Sequence, residues 1–236
     1  MPANPVTHTT PNRLLSRLSR QDFDLLEPYL EAIELPVRAQ LENRNKRIDH
    51  VYFIESGFAS VVAHGTGDRS IEVGLIGWEG MSGLAIVMAT DRTPHETYMQ
   101  LGGKGLRVPS SMLRKGMEES STLRNAFLNY AHAFFIQTSH TAIANGRSKL
   151  EDRLARWLLM AHDRTDGDAL SLTHEFLAVM LGVRRPGVTV ALNLLEKNGL
   201  ILRNRGVISI VDREGLEESA NGAYGVPEAE FHRLFG

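Results

Sequence analysis

The chain has 236 residues, 42% of them hydrophobic, with a formal charge of −2 and a pI near 6.5. That is enough for two packed domains, and too apolar for a disordered protein. The near-neutral balance argues against a non-specific nucleic-acid coat, and the absence of cysteine excludes disulfides, thiolate zinc sites and a Cys-held iron–sulfur cluster within the chain.

Residues 1–12 are polar and rich in Thr and Pro, and order is not expected of them. Asn12–Leu30 then carries Leu14, Leu15, Leu18, Leu25 and Leu26 at helical spacing with an interruption at Ser19–Gln21, which predicts two short helices. From Ile33 to Leu106 the texture becomes β-rich. Val51–Ile54, Ala59–Ala63, Ile71–Leu75 and Tyr98–Leu101 are short strand-like runs separated by Gly57, Gly65–Gly67, Gly77 and Gly102–Gly103. Frequent turns without long intervening helices predict an antiparallel sandwich or barrel. A helical insertion is expected within Met81–Met88.

After Pro109 the period is helical again: a short helix over Ser110–Glu118, then a long one from Ser120 to about Asn145. On the long helix Leu123, Phe127, Tyr130, Phe134, Gln137 and Thr141 recur at alternating steps of four and three, a heptad seam. A second stripe runs through Leu128, Ala131, Phe135, Thr138 and Ala142. Two adjacent faces call for two partners. The first seam is assigned to dimerisation with the same helix of a second subunit, the other stripe to the β-domain. A single wide core-facing stripe in a monomer is the alternative.

Gly146 marks an expected hinge before an amphipathic helix over Ser148–Arg164. Thr173 follows as an N-cap, with Leu172 and Leu177 placed as a hydrophobic staple, Gly182 at a tight turn and Pro186 in the first turn of a second helix. Val188, Leu192 and Leu195 give that helix one apolar stripe. Leu200–Arg203 and Val207–Val211 around Asn204–Gly206 read as a β-hairpin, so the whole is a winged helix-turn-helix. Arg184 and Arg185 lie at the helix end that enters a major groove in such proteins. Residues 147–213 hold 11 Lys and Arg against 8 Asp and Glu, the sign expected of a DNA-binding part. Asp212–Ser219 fits a short final helix; the tail 220–236 has no assigned role.

The fold class expected is α+β, with a β-roll sensor domain over 12–119, a dimerisation helix over 120–145, a winged helix-turn-helix DNA-binding domain over 147–219 and the tail 220–236. The stretches His50–Ala63, Ile71–Leu84, Ser148–Leu159 and Leu172–Ile201, in this order and spacing, resemble the Crp/Fnr superfamily of bacterial transcription regulators. The resemblance implies a cyclic-nucleotide-binding-like antiparallel β-roll and a homodimer on a palindromic double-stranded operator. RNA polymerase is an open candidate as a further partner. It also implies that Arg185 matches the family's guanine-reading arginine, while Pro186 and Val190 replace an acidic and a basic base-contacting residue, so operator sequence does not carry over. Thr173, Arg184, Gly187 and Asn193 match phosphate-contacting positions, Gly187 through its amide alone. Thr189 and the wing residues Arg203 and Arg205 complete the expected DNA-binding set.

The family's phosphate cassette is degenerate here: Gly83 is followed by Leu84 rather than Glu, and Arg92-Thr93 is the only Arg-Thr pair that could face an anion. Binding of cAMP or cGMP in the family's mode is therefore not expected, and the cofactor stays unknown. Haem needs an axial ligand such as His. His64, His95, His132 and His140 form no closely spaced pair, and no metal site is assigned. The expected function is a homodimeric transcription regulator, not an enzyme. The alternatives are an allosteric nucleotide- or small-ligand-binding module acting through protein contacts, and a cupin-type metal enzyme, which would need His and Glu ligands clustered on adjacent strands. With no secretory signal and no apolar run near 18 residues, a cytoplasmic location without membrane contact is expected.

Overall fold

The computed structural model describes residues 10–66 and 70–236. Most of the stretch expected to lack order, and the end of the turn expected at Gly65–Gly67, lie outside the described residues. The chain divides into two compact units, Met1–Val61 with Ile76–Phe135 and Phe231–Gly236, and Val62–Leu75 with Ile136–Glu230.

The first unit begins with two short helices, α1 (Arg13–Ser16) and α2 (Arg20–Asp24), capped by Asn12 and Ser19. Asn12 is fully buried; its amide donates to the Ile54 and Gly80 carbonyls at 2.8 Å each, fixing α1 against the β-structure. Two antiparallel layers follow. One has the strand order β1 (Glu31–Leu35), β7 (Gly103–Pro109), β3 (His50–Ile54), with Val51 opposite Val108 and Phe53 opposite Leu106. The other has the order β2 (Gln40–Glu42), β6 (Glu96–Leu101), β4 (Phe58–His64), β5 (Ser70–Ile76), and the far end of the β4–β5 hairpin counts with the second unit. The expected helical insertion is α3 (Leu84–Val87), and α4 (Ser110–Glu119) leads to α5 (Ser121–Arg147).

Packing revises the reading of α5. Leu123 and Phe127 are fully buried and Tyr130 is 2% exposed, all in the core formed by α1, α2, β3 and α4. Phe127 stacks at a tilt on Phe53, ring centroids 6.0 Å apart. Tyr130 lies so close over Gly80 that a Cβ there would collide with the phenol ring. The seam assigned to dimerisation therefore faces its own β-domain, at least through Tyr130. A side chain the size of Phe127, once truncated, forfeits about 3–5 kcal/mol. The exposed apolar face is the other stripe, with Leu128 at 43% and Phe135 at 64% exposure. Both faces are apolar at heptad spacing, so periodicity identified the stripes without saying which one was which.

The second unit contains α6 (Leu150–His162), α7 (His174–Leu181), α8 (Arg185–Lys197) and α9 (Arg213–Ser219), with the small antiparallel sheet β8 (Ala169–Ser171), β10 (Val207–Ile210), β9 (Ile201–Asn204). The break expected at Gly146 falls at Ser148–Lys149, for Gly146 remains helical. Lys149 caps α6, its amide meeting the Asp152 carboxylate at 3.3 Å. Gln137 and Thr141, also assigned to the dimer seam, are engaged inside this unit. The Gln137 amide group bonds both backbone groups of Leu75, and the Thr141 hydroxyl accepts from Arg156 at 3.1 Å. Part of the tail is tied down here as well: Tyr224 donates to Asp163 at 2.7 Å and accepts from Arg213 at 2.8 Å. The remainder forms α10 (Val226–Phe235), whose last residues count with the first unit. Among the described residues no single helix is long and apolar enough to cross a membrane.

Candidate nucleic-acid interface

The recognition unit is built on a rigid base. Thr173 caps α7, its hydroxyl accepting from the Phe176 amide at 3.2 Å, as a β-hydroxyl placed before a helix can. Gly182 takes φ +62°, the left-handed conformation that ends α7 sharply, and a Cβ there would press on Ile71 at 3.0 Å. The chain re-enters a helix at Arg184, an extended N-cap, with Pro186 at the second helical position. There its missing N–H leaves no helical bond unmade. Val188, Ala191, Leu192 and Leu195 are buried, and the Trp157 ring meets Phe176 edge-on at 5.5 Å.

With that face inward, α8 turns Arg185, Pro186, Val190, Asn193 and Leu194 outward, next to the exposed cap residue Arg184. A cleft of about 370 Å³ opens between the helix and the wing, lined by Thr173, His174, Arg185, Arg203, Arg205 and Gly206 among others. Of the eight residues expected to touch DNA, five stand exposed: Thr173, Arg184, Arg185, Arg205 and Asn193, the last of them bonded to Arg203. Arg205 sits at the tip of the β9–β10 turn with φ +42°. Thr189 is half-buried, its hydroxyl 3.0 Å from His174 Nδ1.

Arg203, Asn193 and Gly187 are engaged within the protein. Arg203 donates its backbone N–H and its Nε to the Glu196 carboxylate, both at 3.0 Å, and Nη2 to Asn193 Oδ1 at 2.7 Å. This clamp joins the wing to α8, and the bonds from Arg203 pull the Glu196 carboxyl below its ordinary range. Arg203 thus first positions the wing. Gly187 spends its only donor, the backbone amide, on the Arg184 carbonyl at 2.9 Å, so the expected amide–phosphate contact has no free N–H in this conformation. Glu196 and His174 were missed because their partners lie 7 and 15 residues away along the chain, across a turn rather than along one helix face.

The candidate ligand residues of the first unit do not converge. The Gly83 amide donates to the buried Glu42 carboxylate at 2.7 Å. Arg92 is exposed and paired with Asp91 at 3.4 Å, and the Thr93 hydroxyl accepts from the His95 amide at 3.2 Å. The Gly83 amide is therefore spent on the protein's own carboxylate. Burial pushes the Glu42 pKa up from 4.5, against the bonds from Gly83 and Thr97. A carboxyl raised on folding stabilises below its unfolded pKa and loses that contribution as pH rises. Glu42→Gln keeps an acceptor for Gly83 and removes the buried charge. Thermal melts should coincide with wild type near pH 4.5 and lie above it at pH 8; a variant that melts lower at pH 8 contradicts this. Among the described residues no three His, Asp or Glu side chains gather as metal ligands.

Comparison with known proteins places this geometry. A family model for the Crp-like helix-turn-helix domain matches residues 152–219. None of the curated proteins matches the chain. Among solved structures, a transcriptional regulator of the Crp/Fnr family from Eubacterium rectale is 21% identical with a TM-score of 0.69, covering 87% of this chain and 96% of that one. A CRP-family regulator from Thermus thermophilus is 18% identical with a TM-score of 0.66, covering 82% and 98%. FixK2 from Bradyrhizobium japonicum is 14% identical with a TM-score of 0.66, covering 80% and 96%. At these identities the likeness is one of fold: an N-terminal β-rich domain, a long helix and a C-terminal helix-turn-helix.

Proposed function

We propose that this chain, a Crp-like helix-turn-helix domain within a Crp/Fnr-type fold, is a homodimeric, DNA-binding transcription regulator without catalytic activity. The observation that carries the reading is the pair Arg184–Arg185, exposed at the N-terminal end of α8 above a fully buried base. Arg185 offers guanine O6 and N7 a bidentate fork, while Arg184 and Arg205 suit phosphates.

The second copy is supplied by α5. Leu128 and Phe135 are seven residues apart on the exposed stripe, and Ala142 follows at the same interval, also exposed. Seven-residue apolar spacing on an exposed helix face is what a two-stranded seam requires. Dimerisation through that stripe yields two reading heads and a palindromic operator.

The Glu42–Gly83 bond supports a sensor domain that does not take cyclic nucleotides by the usual cassette. A cytoplasmic location follows from the proposed work on DNA. Selection of duplexes from a random pool by the full chain, followed by footprinting, tests the reading. Two half-sites with centres about 34–36 Å apart are expected. Enrichment of unpaired sites, or of none, would defeat it.

A further inference from the structure

Val190 is 68% exposed, more than any other large apolar side chain among the described residues. It lies on α8 about 150° around the axis from the mean direction of the buried residues Val188, Ala191, Leu192 and Leu195, at about 100° per residue. Leu194, 40% exposed, follows one turn later. Asn193 and Lys197, both exposed, lie within about 60° of Val190 around the axis. An aliphatic patch beside an amide and an ammonium on the outward face of the second helix of a helix-turn-helix has a narrow range of complements. Bases present donors and acceptors on their major-groove edges, and thymine alone adds a methyl group.

We infer that Val190, with Leu194 beside it, is a specificity-determining residue that reads thymine methyl groups in the operator. The inference rests on the DNA-reading function proposed above and deepens it. Val190 follows Arg185 by five residues, a rise of about 7.5 Å, or about two base-pair steps along a strand. Each half-site should therefore hold a thymine about two steps from the guanine that Arg185 reads. Lys197 on the same face, with Arg184 and Arg185 exposed at the N-terminal end of the same helix, favours a nucleic acid over an apolar protein surface as the occupant of this patch.

The test uses the full chain and its selected operator. Replacing that thymine by deoxyuridine removes only the methyl group. Wild-type protein should bind the substituted duplex about fourfold more weakly per half-site, the value of one buried methyl-sized group. Val190→Ser should bind both duplexes equally while melting like wild type, because the site is exposed. Selected operators without a consistent thymine there, or equal binding of both duplexes by wild type, would overturn the inference while leaving the DNA reading intact. So would a Val190→Ser chain that changes its sedimentation coefficient without DNA, which would make the patch a protein contact. Failure of selection to enrich any duplex, with Arg185→Ala equally silent, would remove the DNA reading itself and this inference with it.

Discussion

Replacing Leu128 and Phe135 together by aspartate should leave a folded chain that sediments as a monomer and binds its operator about 100- to 10,000-fold more weakly. Both residues are exposed on α5, at 43% and 64%, so neither carboxylate has to enter a core. In a helix pair the same positions become desolvated knobs, where opposed like charges cost far more than the lost apolar contact. The affinity loss has a separate origin. Two linked heads convert the second binding event into an intramolecular one, and a monomer forfeits that effective concentration. Phe127→Ala supplies the contrast. It removes a side chain with no exposure from the core beside Phe53, so its expected effect is a cooperative loss of about 3–5 kcal/mol of stability. Analytical ultracentrifugation and denaturant titration separate the two. A Leu128/Phe135 variant that remains dimeric would place the subunit contact elsewhere.

Arg185→Ala is expected to weaken operator binding by about 1–3 kcal/mol at each half-site, with relaxed preference at one base pair in each. The reason is local. Arg185 occupies the first position of α8, exposed, on a helix whose inner face holds Val188 and Leu192 with no exposure. The buried face fixes the backbone position from which the Arg185 guanidinium reaches guanine. Arg184→Ala should instead weaken operator and random DNA alike, as a phosphate contact does. Arg203→Ala should act differently again. Its Glu196 and Asn193 bonds hold the wing against α8, so melting should fall along with affinity. Quantitative binding on operator, single-base variants and random duplex resolves the three, and uniform losses for Arg185→Ala would remove its base-reading role.

The recognition unit was legible in the sequence because its parts are local. A capping threonine, a glycine at a left-handed turn and a proline in a first turn each act within four residues, and all three occupy the expected places. The long helix was legible in extent and not in orientation, because its two apolar faces carry the same spacing. The strands β1, β2 and β7 gave weak signals. β7 contains Gly103, Lys104 and Gly105, and its place between β1 and β3 follows from pairing with strands far away along the chain. The Glu42–Gly83 bond spans 41 residues, and no local pattern announces it. Likewise Arg203 read as a free wing cation, because its carboxylate partner lies on another element.

The most direct test of the central claim is the salt dependence of binding between the full chain and its selected duplex. A dimer whose Arg184 and Arg205 meet phosphates on both half-sites should give a plot of log K against log salt with a slope steeper than about −3, alongside clear preference over random DNA. A flat plot with no preference between the two duplexes would contradict the account.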